Sequence, residues 1–327
     1  MPRVSLEQRL VQLDTEMSDL GDRLGGLPRA DEARDIWHAI WLEEAHHSTA
    51  LEGNTLVLRQ VEALLAEGRA IGGKEFREYL EVQGYAKASQ WVYERAIDVR
   101  EDAAKLVTIT ELRYIHELVV ADEWQVTGKH AQPGSWRVVE IHAFASGMQP
   151  PASWSIPAEM MDFVDRVATG PPSEMHPLLW IAERHAEFER IHPFEDGNGR
   201  VGRLLTNLLL VRLGYPPAII VKTGRSRYLQ ALAKADEANP RALAELFVRA
   251  SKANLDRFIY PSIAGPAKLV PLTALTIKGR PLTALRAAAT RGKLQHRVQR
   301  GVLYSSLNWV DEYYRKKDPR GRKPAEK

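Results

Sequence analysis

The sequence predicts a mainly α-helical chain with one short strand-bearing hairpin and a small mixed module at its C-terminus. Three observations carry this expectation. Apolar residues recur at three- and four-residue spacing through most of the first 258 positions. The segment Trp136–Phe144 interrupts them, short and rich in β-branched and aromatic residues. A Pro- and Gly-bearing stretch at 259–268 then separates a basic tail from the rest.

Composition bounds the chemistry. The chain has 327 residues, 27% charged and 44% hydrophobic, which excludes wholesale disorder and a collagen-like chain. There are no cysteines, so disulfide scaffolds, Cys-ligated zinc, iron–sulfur clusters and cysteine nucleophiles are excluded. No apolar run reaches the roughly 18 residues of a membrane span, and the first residues lack the apolar stretch of a signal peptide. The expectation is a soluble, cytoplasmic protein. The net charge of +3 conceals an asymmetry: residues 266–327 hold 15 Lys/Arg and 4 Asp/Glu (+11), the other 265 residues 30 and 38 (−8). A basic module is joined to an acidic body, and an anionic partner such as nucleic acid is one use for it.

Element by element, helices are expected over 5–20, 31–49, 57–67 and 75–99. Another runs over 110–120, with Thr110 as cap. After the hairpin near 136–144 come helices at 157–168, 177–191, 200–213, 227–238 and 241–258. The tail module has helical stretches at 272–277 and 282–290, a strand over 294–304 and a last helix at 307–315. The domain reading is an N-terminal helical region, 1–107; a core, 108–258; a linker, 259–268; a module, 269–317; and a basic tail, 318–327.

The densest segment is His192-Pro-Phe-Glu-Asp-Gly-Asn-Gly-Arg-Val-Gly-Arg203, between an amphipathic helix and a strongly apolar one. Glycines let successive backbone N–H groups converge as an anion nest, and the following helix adds its N-terminal dipole. Arg200 and Arg203 share one face of its first turn, where cations disfavour the helix unless an anion binds. Asp196 is a hard oxygen ligand suited to Mg2+. His192 stands at the loop entrance, placed to take a proton from a hydroxyl. Gly197-Asn-Gly-Arg-Val-Gly202 also matches the dinucleotide GxGxxG, but a helical run precedes it where a buried strand is required, and a capped turn alone would not need two Arg, an Asp and an Asn.

The segment resembles the Fic family motif, His-Pro-Phe-x-Asp/Glu-Gly-Asn-Gly-Arg-x-x-Arg, at every specified position. Pro133-Gly-Ser-Trp-Arg137 with Pro150-Pro151 resembles the family's flap, and Gly214-Tyr-Pro-Pro and Arg227-Tyr228 resemble later segments, so the likeness covers about 35–258. It implies a protein adenylyltransferase that moves AMP from ATP, with Mg2+, to a Ser, Thr or Tyr hydroxyl of a protein target. The likeness implies roles residue by residue: His192 as base, Asp196 on the metal, and Gly197, Asn198, Gly199 and Gly202 around the phosphates. Arg200 and Arg203 would take the β/γ end, and Tyr228 the base side of the nucleotide. Ile141, His142, Ala143 and Phe144 would dock the target as an added strand. Asp236 stands where family members carry an Asn. Self-modification and a homodimer are both compatible with the resemblance.

Ser48-Thr-Ala-Leu-Glu52-Gly53 is similar to the family's inhibitory pattern, Ser/Thr-x-x-x-Glu-Gly/Asn, of the type with an N-terminal inhibitory helix (class II). The likeness implies that Glu52 pairs with Arg203 and takes the place of the γ-phosphate. A helix ending on Gly53 explains the same residues without a brake. The 269–317 module resembles an excisionase-type or winged helix-turn-helix, carried by 282–294, Ser305-Ser306 and Trp309–Tyr313, with Arg286, Arg291 and Lys293 along the recognition helix and its end. DNA or a protein partner would suit it. The competing reading is a DNA-binding regulator whose core senses nucleotide without transfer; the complete His192/Asp196 pair disfavours it.

Overall fold

The computed structural model describes residues 4–24, 26–28, 33–97, 105–128, 131–141, 147–259, 269–276, 280–299 and 302–317. It divides into two compact units, Met1–Leu13 with Arg29–Leu255, and Asp14–Pro28 with Asp256–Lys327.

The larger unit is helical. Its elements are α1 (Leu6–Leu24, shared with the second unit), α2 (Arg34–Leu51), α3 (Leu58–Glu67), α4 (Phe76–Ile97) and α5 (Ile109–Thr127), followed by α6 (Ile156–Ala168), α7 (Pro177–Ile191), α8 (Asn198–Arg212), α9 (Arg225–Asp236) and α10 (Arg241–Asn254). The chain places α8 at the centre. Its apolar residues Val201, Leu204, Leu205, Leu208, Leu209 and Leu210 are all at most 1% exposed, while Arg200, Arg203 and Asn207 form a buried polar row at three- and four-residue spacing. Each such leucine contributes about 1.5–3 kcal/mol of burial. Packing of α4 on α5 is close enough to specify Gly84: a Cβ there would lie 2.5 Å from the Val119 carbonyl oxygen. The cap of α5 lies two residues earlier than expected, at Thr108 and not Thr110, and the helix runs on to Thr127. Thr108 Oγ1 accepts the Glu111 N–H at 3.2 Å and Glu111 Oε2 accepts the Thr108 N–H at 3.0 Å, a reciprocal capping box.

The hairpin expected over 136–144 does not form over its described part; residues 135–141 carry no strand, and 142–144 lie outside the described residues. Arg137 supplies the physical reason. Its side chain is 1% exposed and donates to the carbonyls of His192 (2.8 Å), Val139 (3.0 Å) and Pro151 (2.6 Å), while its backbone N–H donates to Pro193 (2.9 Å). Arg137 thus ties this segment to the end of α7 and to the 150–151 turn.

In the second unit, β1 (Leu269–Pro271), β2 (Arg297–Gln299) and β3 (Val302–Ser306) form an antiparallel sheet in the order β1-β3-β2. Leu269 pairs with Ser306 and Arg297 with Tyr304. The single strand expected over 294–304 is therefore two strands, and β1 is an addition. Helices α11 (Leu282–Thr290) and α12 (Leu307–Lys317) cover the sheet's core, built from Leu272, Leu275, Leu285, Ala288, Ala289, Leu294 and Val310.

Candidate active site

The site is the turn between α7 and α8. Helix α7 stops because His192 adopts the left-handed conformation, φ 50°, while its N–H still closes the helix on Phe188. Phe194 then anchors the loop. It is fully buried, stacks on His116 of α5 with ring centroids 3.8 Å apart and packs on Trp136 at 4.9 Å. The Asn198 side chain folds back as a brace, accepting the Phe194 N–H at 2.9 Å and donating to its carbonyl at 2.8 Å. The side-chain amide thus holds the loop's shape, which leaves the backbone of Asn198 for the expected phosphate contact. Gly197, at φ 80°, is the N-cap that turns the chain into α8. The first-turn N–H groups of α8 have no acceptor within the helix, so they point outward as anion donors.

Two arginines flank those donors. Arg200 is 3% exposed; its Nη2 lies 3.2 Å from Asp196 Oδ2, and its buried Nε and Nη1 have no hydrogen-bond partner among the described residues. Buried guanidinium donors left unmade are costly, and an incoming anion would satisfy them. Arg203, 5% exposed, donates from Nε to Ser48 Oγ (2.7 Å) and from Nη2 to the Ser48 carbonyl (3.0 Å), and Nη2 stands 2.8 Å from Glu52 Oε1. Glu52 thus reaches into the nest from the end of α2, and a Cβ on Gly199 would lie 2.4 Å from its Oε1. Burial works against the Glu52 carboxylate, yet the Arg203 guanidinium outweighs it and holds the group below the usual carboxylate range.

His192 sits at the lip. Burial pushes its imidazole down to about 4, opposed by its contact with the Glu189 carbonyl, 3.2 Å from Nδ1. Nδ1–H donating there leaves Nε2 as the basic nitrogen of a neutral ring. Asp196 accepts the Gly197 N–H at 2.7 Å through Oδ1 and stays about one-third exposed. Among the described residues no three His, Asp or Glu groups gather to hold a metal. A single exposed carboxylate beside a phosphate nest fits Mg2+, which takes one or two carboxylates and fills its shell with phosphate oxygens and water.

The other residues singled out in the sequence are placed as follows. Tyr228 is 4% exposed, with its hydroxyl 2.8 Å from His185 Nε2, so it packs beneath the nest instead of presenting a face for a base. Asp236 ends α9, 3.8 Å from Arg190. Gly53, at φ 107°, follows Glu52 at the C-terminal end of α2. Gly202 abuts Glu189, whose Oε1 would be 2.3 Å from an added Cβ, so its lack of a side chain accommodates a carboxyl group and not a phosphate. Of the docking segment, Ile141 is half-buried; His142, Ala143 and Phe144 lie outside the described residues.

Three site residues escaped the sequence reading. Arg137 pins the loop, as described. His116 accepts the Gly134 N–H at 2.9 Å and lies 3.2 Å from the Asp196 carbonyl, and burial drops it to about 3, so it is a neutral brace. Glu189 has a buried Oε1 without a hydrogen-bond partner among the described residues and is pushed up to about 8 by burial, with Arg203 opposing. Its signal was its spacing: it lies four residues after the buried His185 on the inner face of α7.

A family model described as "Fic/DOC family" matches residues 106–210. Among curated proteins, "Protein adenylyltransferase Fic" of Drosophila virilis is 28% identical over 86% of this chain and 55% of its own length. The protein of the same name from Nematostella vectensis is 30% identical over 77% and 57%. The chain spans about half the length of the curated relatives it matches. Among solved structures, "Fic-1 (aa134 - 508) from C. elegans" aligns with TM-score 0.64 at 26% identity over 78% of this chain and 71% of that one. A Fic domain containing signaling protein from Bacteroides thetaiotaomicron aligns with TM-score 0.60 at 25% identity, over 76% and 96%. No helix among the described residues is long and apolar enough to cross a membrane.

Proposed function

We propose, starting from a chain that carries a Fic-family domain over residues 106–210, that it transfers AMP from ATP to a hydroxyl of a protein target. The supporting observation is a neutral histidine at the lip of an anion nest whose buried Arg200 Nε and Nη1 lack a partner among the described residues. His192 Nε2 takes the proton of the target hydroxyl as its oxygen attacks the α-phosphorus. The α–β phosphoanhydride bond breaks and pyrophosphate departs. The first-turn N–H groups of α8 and the Arg200 guanidinium bind the phosphate oxygens and hold the α-phosphate for in-line attack. Asp196 would hold Mg2+, which supplies charge neutralisation between the phosphates when bound. Glu52 is the brake: while its carboxylate occupies Arg203, the γ-phosphate lacks that guanidinium and the nucleotide sits out of line. The relatives' printed name, protein adenylyltransferase, supports the same reading.

Incubation with ATP labelled at the α-phosphate, followed by mass spectrometry of the labelled protein, tests this. His192→Ala should lower AMP incorporation by about 10²–10⁴-fold with ATP binding near wild type, because the phosphate donors remain. Incorporation at the wild-type rate in that variant would remove His192 from the mechanism.

A further inference from the structure

The second unit carries a surface that AMP transfer does not use. Residues 266–310 contain eight Lys/Arg and no Asp or Glu. Helix α11 turns Leu285, Ala288 and Ala289 into the core of its unit. On its other side Thr283, Arg286 and Thr290 are exposed at spacings of three and four, so they form one row along the helix. Arg291 and Lys293 extend that row past the C-terminus, and both are exposed.

Among the described residues neither Arg286, Arg291 nor Lys293 forms an ion pair. Between residues 269 and 317 the sequence has two carboxylates, and both are engaged elsewhere: Asp311 with Arg280, and Glu312 with Lys316. Both acids lie on α12, so positive charge gathers on the α11 side. The β2–β3 hairpin follows this helix directly and includes the exposed Val298 and Val302. A nine-residue helix is about 14 Å long and suits a major groove about 12 Å wide. Uncompensated cations on one helix face are the donors that phosphates and base edges accept; the Thr290 hydroxyl donates to the Arg286 carbonyl at 3.0 Å, so that threonine offers its methyl and its oxygen lone pairs. A protein-docking face would instead gather aromatic or large apolar anchors, and this row has none.

We propose that the 269–317 unit binds duplex DNA, with the Thr283–Arg286–Thr290 row of α11 as the docking face and Arg291 and Lys293 on the phosphates. The test uses the full chain and a fluorescein-labelled mixed-sequence 20-bp duplex, followed by anisotropy between 50 and 300 mM NaCl. Wild type should bind, and the logarithm of its affinity should fall linearly with the logarithm of salt. Arg286→Gln/Arg291→Gln/Lys293→Gln should weaken binding roughly 10²-fold near 100 mM and lower the magnitude of the slope by about 2–3, near one per lost phosphate contact. A control triple, Arg59→Gln/Lys74→Gln/Lys234→Gln, removes the same charge from exposed positions of the other unit and should bind as wild type does. Circular dichroism and melting of the three proteins should coincide, since all six positions are exposed. No binding by wild type at 50 mM salt overturns the proposal and turns the face to a protein or lipid partner. Equal losses in the two triples overturn it as well, because net charge alone would then account for the binding.

Discussion

Replacing Glu52 by Gly removes a carboxylate 2.8 Å from Arg203 Nη2 while leaving that guanidinium its two bonds to Ser48. A hydrogen bond to a charged group is worth about 1.5–3 kcal/mol, and exposed ion pairs about 0–1. Arg203 is buried, but the Glu52 side chain is 44% exposed, so solvent screening discounts the pair to about 1–2 kcal/mol. For a chain of this size that lowers the melting temperature by only a few degrees. The gain in rate is larger. One charge-assisted contact regained by the γ-phosphate, about 2–3 kcal/mol, is a factor of about 30–150 at 1.4 kcal/mol per decade. The assay is the initial rate of AMP incorporation from labelled ATP, alongside thermal melting. Glu52→Gly/Arg203→Lys should lose the gain, since lysine keeps the charge but not the planar fork. A Glu52→Gly rate equal to wild type would refute the reasoning and leave Glu52 as no more than a helix end.

Because burial holds His192 near 4, the acid limb of kcat/KM should fall near pH 4–5 and the profile should be flat from pH 6 to 8; an inflection at 6.5 would show a solvent-exposed imidazole instead. Glu189 keeps its proton to about pH 8 in the folded chain and loses it near 4.5 when unfolded, so the folded state binds more protons between those values and stability falls as pH rises through that window. Glu189→Gln should remove that fall, an effect on the order of 3–5 kcal/mol at its limit, raising the melting temperature at pH 8.5 and not at pH 4.5; parallel curves for the two proteins would sink the assignment. Gly199→Ala places a methyl 2.4 Å from Glu52 Oε1 and 3.0 Å from Arg203 Nη1, inside the nest. Added to Glu52→Gly, it should cost at least about tenfold in rate, since a misplacement of about 1 Å can cost two decades; an undiminished rate would mean the phosphates bind elsewhere.

The helices of the larger unit were legible because each carries its own apolar periodicity, and α8 announced its central position by its dense run of leucine and valine. The site loop was legible for a different reason: glycine, histidine and arginine at fixed offsets constrain the backbone locally, so the nest needs no distant partner to be read. Long-range contacts were not legible in the same way. Arg137 looked like one residue of a hairpin, yet it binds carbonyls 55 positions away, and those bonds replace a strand ladder. Tyr228 carries no mark of whether its ring faces solvent; packing against His185 decides it. The division of 294–304 into two strands shows only in their pairing, Arg297 with Tyr304 and Gln299 with Val302. By itself, then, the sequence determined the helical class and the glycine-rich turn into α8 with His192 at its start, because these depend on neighbours within a few residues. Only the tertiary structure decided what surrounds them: Glu52 against Arg203 across 151 positions, His116 beneath Phe194, and the burial that shifts His192 and Glu189 in opposite directions. Charge and proton affinity follow from the local dielectric and the nearest opposite charge, and both are set by residues that chain order does not bring together.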